Sequence, residues 1–250
     1  VGQTTALSTI TVTNSTGVSA GPLTAANVVL TDTTGLVAFA GTTVITNSLT
    51  TAAKAYDVTF AGTTVLSGTP VFLNDGLVDF AGITSLTSGA TITGTATSTV
   101  NLAGTIVSGG AFNIGALPLT TTIANATQLL LNSASAASTF AGKVVSAGTG
   151  ANALSLLGVG TLTLSGDSST TGVTGAINVI NGTLNVTGKL GAASLSTATN
   201  GTISGAGGTI GVLTVNTGTV APGGTLNTDA VTMNAATNYS AAVLTTTTAS

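Results

Sequence analysis

The sequence predicts an all-β chain wound as a parallel β-helix, or β-solenoid, with coils of about 20 residues. Three observations predict it: a composition that disfavours helices, a triplet recurring at a near-constant step, and few hairpin signals.

The composition comes first. Three Lys and six Asp are the only charged side chains among 250 residues; Arg, Glu, His, Cys and Trp are absent. Disorder goes with low hydrophobicity and high net charge. Here hydrophobic residues reach 43%, mean hydropathy is +0.63 and the net charge is only -3, so there is apolar surface to bury. Thr and Val are β-branched and suit pleated strands, while Gly and Asn suit turns. Glu and Arg are missing, and Leu and Ala do not recur at helical spacing.

The repeat comes second. Phe-Ala-Gly occurs at Phe39-Ala40-Gly41, Phe60-Ala61-Gly62, Phe80-Ala81-Gly82 and Phe140-Ala141-Gly142, with a Leu variant at Leu102-Ala103-Gly104. The first steps between lead residues are 21, 20 and 22, and the last, 38, reads as two periods of 19. Val37, Val58, Val78 and Val100 each stand two residues before a lead residue. Val-x-Phe puts two apolar side chains on one face of a strand, because side chains alternate. The Gly that follows lets the chain turn a corner. Stacked coils would then line up Phe39, Phe60 and Phe80 as an internal aromatic ladder, with Thr, Ala and Ser facing outward.

The competing fold is a Thr-rich β-sandwich with evenly spaced strands. Sandwiches need hairpin turns, and Asn181-Gly182 and Asn200-Gly201 are the only Asn-Gly pairs. A five-fold triplet at a regular step favours the solenoid.

Three stretches follow. Residues 1–157 form a solenoid with Phe-Ala-Gly repeats; residues 158–233 continue it with Gly-Thr-Leu repeats and a narrower core; residues 234–250 are a cap or tail. At 20 residues and about 4.8 Å per coil, roughly 12 coils would make a rod about 60 Å long.

The second stretch resembles the passenger-associated repeats of bacterial autotransporters. The carrying residues are Gly158-Val159-Gly160-Thr161-Leu162-Thr163-Leu164-Ser165-Gly166-Asp167, then Ile180-Asn181-Gly182-Thr183-Leu184-Asn185-Val186, then Gly218-Thr219-Val220-Ala221-Pro222-Gly223-Gly224-Thr225-Leu226. The Phe-rich half is more loosely similar to Thr-, Ala- and Gly-rich surface passengers of the rickettsial outer-membrane protein B kind. The resemblance implies a right-handed β-helix, exported to the cell surface and serving adhesion or a coat. It departs from that family in having no C-terminal barrel of alternating strands with aromatic girdles.

No apolar run approaches the roughly 18 residues of a membrane helix, so no transmembrane segment is expected in this chain. It begins at Val1 without a basic or apolar leader and reads as a mature product or a fragment. So few positive charges leave no footprint for nucleic acid.

Catalytic chemistry has little to work with. General acid–base work draws on His, Glu, Asp or Lys, and only Asp and Lys are present. Asp75 and Asp79 are the only Asp pair within one coil. In Leu77-Val78-Asp79-Phe80, alternation points Asp79 away from the core, and Asp75 in Asn74-Asp75-Gly76 reads as a turn residue. A solvated strand residue plus a turn residue is favoured over a catalytic pair. No Gly-Gly-x-Gly-x-Asp unit for calcium occurs, nor phosphate loops or Cys/His metal spacings. We therefore expect no catalytic residue, no metal and no cofactor. Six Asn-x-Ser/Thr sequons, at Asn14, Asn125, Asn181, Asn185, Asn200 and Asn238, arise readily by chance in such a chain. Corner asparagines more often adopt left-handed angles or stack into ladders. Lys54, Lys143 and Lys189 are too dispersed to suggest a basic patch.

The scarcity of charge is itself informative, because soluble proteins use surface charge to avoid association. The expected role is non-enzymatic and extracellular: a structural subunit of a filament, sheath or surface layer, with copies of itself as partners. The alternative is a passenger adhesin meeting a host or neighbouring cell surface, and a polysaccharide-active β-helix enzyme is a remote third.

Overall fold

The computed structural model describes residues 1–2, 4–94, 98–115, 119–124, 126–146, 152–170, 172–191, 194–197, 200–234, 238–239 and 244–246. Among them there is no helix. Parallel strands stack as a β-solenoid of about 10 turns, about 21 residues apart. That is fewer turns than the twelve expected, and the stack is about 48 Å long at 4.8 Å per coil.

Three faces enclose the core. The first carries Val18–Ala20, Val37–Phe39, Val58–Phe60, Leu77–Phe80, Thr99–Leu102, Thr120–Ile123 and Lys143–Ser146. The second carries, in its middle coils, Thr64–Leu66, Thr84–Leu86, Thr105–Ser108, Thr127–Leu131, Asn152–Gly158 and Ala176–Val179. The third carries Val71–Phe72, Ala90–Ile92, Phe112–Ile114, Ala137–Phe140, Thr161–Leu164, Gly182–Val186 and Gly201–Ser204. In the first coils the long strands Leu23–Leu30 and Thr43–Thr51 run over the corner between second and third faces, and their register shifts between Ala25 and Asn27.

Alternation sorts the side chains. Phe39, Phe60, Phe80, Leu102 and Ile123 pair in register on the first face and are all buried. Beside them run Val37, Val58, Val78 and Val100, also buried. Phe39 and Phe60 stack with ring centroids 5.0 Å apart, and Phe60 and Phe80 at 5.5 Å. Each buried ring contributes about 1.5–3 kcal/mol by leaving water.

Phe140 is not in that ladder. It pairs with Ile114 and Leu164 on the third face, in the column that also holds Phe72 and Ile92. The copy that follows Leu102 on the first face is Ile123, so the step of 38 was not two periods. The triplet encodes only a strand end and a corner, and it serves both the corner that leaves the first face and the one that leaves the third. Phe140 meets the other aromatics edge-on instead, through Phe112 at 5.4 Å.

The period drifts along the stack. In the column Leu129–Leu156–Val179–Thr197–Val215–Met233 the steps are 27, 23, 18, 18 and 18. Coils shorten where the first face thins. After Lys143–Ser146 its register continues as single bridges, Asp167 to Lys189 and Lys189 to Thr209. Hydrogen-bonded pairing runs unbroken across residue 158 on the other two faces. Most of residues 234–250 lie outside the described residues; Asn238–Tyr239 and Leu244–Thr246 there pair in parallel with the coil before.

Candidate functional site

Most of the few carboxylates and lysines are tied up in contacts between coils. Asp79 sits on the outer side of Leu77–Phe80, where its Oδ1 accepts a hydrogen bond from Asn101 Nδ2 at 2.7 Å. Asp75 lies at the bend before that strand, its backbone N–H donating to Lys54 O at 2.9 Å. In the coil before, Asp57 Oδ1 accepts from the Leu77 N–H at 2.7 Å. Asp57 and Asp79 thus act as acceptors that tie one coil to the next.

Two lysines pair with carboxylates of the neighbouring coil. Lys54 Nζ lies 3.8 Å from Asp32, and Lys189 Nζ 3.2 Å from Asp167, both pairs exposed. Asp167 also accepts from the Ser169 hydroxyl at 2.6 Å and the Ser169 N–H at 3.0 Å. These two bonds, then Lys189, hold its carboxyl down to about 2. Tyr56 is buried, which pushes its phenol up, and its hydroxyl accepts from the Ala52 N–H at 3.0 Å. Among the described residues no three potential metal ligands converge.

The sequon asparagines take structural positions. Asn14 and Asn200 have left-handed φ angles of 51° and 67°. Asn181 Oδ1 accepts from the Gly182 N–H, and Asn185 Nδ2 donates to Thr163 Oγ1 at 3.2 Å. Asn125 lies outside the described residues, and of Asn238 only the backbone is described.

No protein-family model, no curated protein and no solved structure matches this chain.

What the coil geometry does show is a segregation of charge. Asp79 and Lys143 lie on first-face strands. Asp167 and Lys189 continue that face as single bridges. Asp32, Lys54, Asp57 and Asp75 lie in the links that enter it from the third face, and Asp229 lies where Leu226–Met233 leaves it for the second. These nine are all the charged side chains of the chain. Apart from Asp229 at that junction, the second and third faces carry none.

The outward columns of the faces differ as well. On the first face the column reads Ser19, Ala38, Thr59, Asp79, Asn101, Thr122, Val145. On the third it reads Val29, Thr50, Val71, Thr91, Asn113, Thr139, Thr163, Asn185, Ser204. On the second it reads Val44, Val65, Ser85, Val107, Leu130, Leu157. Ile180, in the next coil, extends that column and is 39% exposed. Sequence reading of the Val-x-Phe strands found the polar outer side of the first face and missed this apolar ridge. The signal was available in Thr43-Val44-Ile45, Thr64-Val65-Leu66 and Leu129-Leu130-Leu131, where a third apolar side chain or a core Thr breaks simple alternation.

A second apolar feature lies at the amino-terminal end. There an open hollow of about 340 Å³ is lined mainly by Leu7, Ile10, Val12, Val18, Leu30 and Phe39.

Proposed function

We propose that this chain is a non-enzymatic structural subunit of an extracellular bacterial surface assembly, of the autotransporter-passenger kind, and that its partners are copies of itself. The observation that carries this reading is the segregation of charge. A solenoid with all nine charged side chains on or beside one face presents two long uncharged faces to its surroundings. Interface cores are depleted of charge relative to other protein surface, and freely soluble surfaces mix ions of both signs.

The chemistry points the same way. Its acidic groups serve as acceptors and ion-pair partners between coils, at Asp57, Asp79 and Asp167. A parallel stack of short coils is a rigid strut that can be repeated, with contacts only between neighbouring coils.

A second reading, display to a host or neighbouring cell surface, draws on the third face. Its hydroxyl and amide columns, Thr161–Thr183–Thr202 and Thr163–Asn185–Ser204, offer donors and acceptors at the coil spacing. Electron microscopy of the native, unboiled protein separates the two. Filaments or sheets are the expected outcome; isolated rods of about 48 Å at every concentration would overturn self-assembly and favour display.

A further inference from the structure

We propose that the outer side of the second face is a lateral docking surface for a second copy of the chain, packed ridge against ridge across a two-fold axis. The inference rests on the self-association proposed above and names the surface that carries it.

The ridge is Val44, Val65, Val107, Leu130 and Leu157, in register over successive coils and interrupted by Ser85, with Ile180 just past Val179 in the next coil, its N–H donating to Leu156 O. Inward neighbours such as Ile45, Leu66, Ile106 and Leu129 fill the core, so the ridge side chains cannot also serve it. They stay partly exposed, Ile180 the most at 39%. The matching columns of the other two faces are mostly Thr, Asn, Ser and Asp, with isolated apolar positions at Ala38 and Val145 on the first and Val29 and Val71 on the third. A run of large apolar side chains on one face, against isolated apolar positions on the other two, marks a surface with a different neighbour from water.

Three features choose a second copy as that neighbour. The first is size. About 10 coils at 4.8 Å, with strands of about 4–5 residues at 3.3 Å each, give a face of about 600–800 Å², of which the ridge occupies the coils from Val44 to Ile180, beside the polar column Thr105, Gln128, Ser155 and Asn178. A stable interface buries about 800 Å² on each partner. The second is pitch: a ridge with a side chain every 4.8 Å or so interdigitates best with another surface of the same pitch, which a stacked β-sheet supplies. The third is charge. With none along the ridge, two copies meet without burying an unpaired ion, as an isologous contact requires.

The test is sedimentation of the purified chain over a wide concentration range, with variants on each face. Leu130→Lys with Leu157→Lys places two ammonium groups in the ridge. Val107→Thr with Leu130→Thr removes the apolar surface while keeping strand-compatible side chains, and circular dichroism checks the fold of both. Thr122→Lys on the first face and Thr163→Lys on the third are controls. The expected result is an associating parent, at least tenfold weaker association in both ridge variants, and controls that behave as the parent. An associating parent whose ridge variants associate equally well, or whose third-face control is equally weakened, overturns the docking surface and leaves self-assembly standing. A parent that stays monomeric throughout overturns both.

Discussion

The ring of Phe60 lies flat on the ring of Phe39, with planes 6° apart, although 21 residues separate them in sequence. Each coil returns the chain to the same place on the first face, so a side chain meets its own counterpart one period on. Phe80 repeats the contact at an interplanar angle of 7°. Phe72 closes the column from the third face, edge-on to both Phe60 and Phe80.

Phe60→Ala should therefore cost about 3–5 kcal/mol, the transfer term plus a cavity the neighbouring rings cannot fill. A double-mutant cycle between Phe39 and Phe60 should give a coupling of about 0.5–1.5 kcal/mol. The same cycle between Phe112 and Phe140, whose rings meet edge-on at 5.4 Å, should give a coupling of similar size. Denaturant midpoints decide it, and additive losses at Phe112 and Phe140 would contradict the placement of Phe140 on the third face.

The corner glycines let the backbones of successive coils approach to sheet spacing. A Cβ on Gly62 would lie 2.5 Å from the Gly41 carbonyl oxygen, and one on Gly82 would strike the Gly62 carbonyl. Gly21 has nothing within 4 Å of the same position. Gly62→Ala should destabilise by about 1–3 kcal/mol through forced separation of the coils. Gly21→Ala should sit within about 0.5 kcal/mol of the parent, since it opens no clash. Equal losses at the two positions would show that Gly62 is not what lets the coils approach.

Asp167 supplies a pH dependence. Its folded carboxyl is held at about 2, below the ordinary value of 3.8, by the Ser169 hydroxyl and N–H and by Lys189. A carboxyl with a depressed folded value stabilises fully above its unfolded value, and that contribution fades as pH falls through the folded one. The melting temperature should fall as pH drops from about 4 towards 2. Asp167→Asn should flatten that fall, and the effect should be small because the group is exposed. An Asn variant with an unchanged acid slope would remove Asp167 as its source.

Some of this architecture can be read along the chain. Val37-x-Phe39, Val58-x-Phe60 and Val78-x-Phe80 at steps of 21 and 20 define a strand, a buried side and a coil, because alternation and periodicity are local properties of the sequence. The outward placement of Asp79 follows from the same alternation, and its burial pattern agrees. What could not be read is which corner each Phe-Ala-Gly belongs to. Links between strands vary, and one coil step widens to 27 between Leu129 and Leu156, so position along the chain does not fix the face.

The candidate surface was less legible than the fold. Val44, Leu130 and Ile180 look like any other apolar residues in a chain that is 43% hydrophobic. Only the stacking shows that they share one outward column while Asp32, Asp79 and Lys189 gather elsewhere. By itself the sequence determined that this chain is β, repetitive and nearly uncharged, since those are matters of composition and period. The tertiary structure alone decided which side chains become neighbours, because in a solenoid each coil's loops set the register against the next. Alignment of six apolar side chains into a ridge is a property of that register.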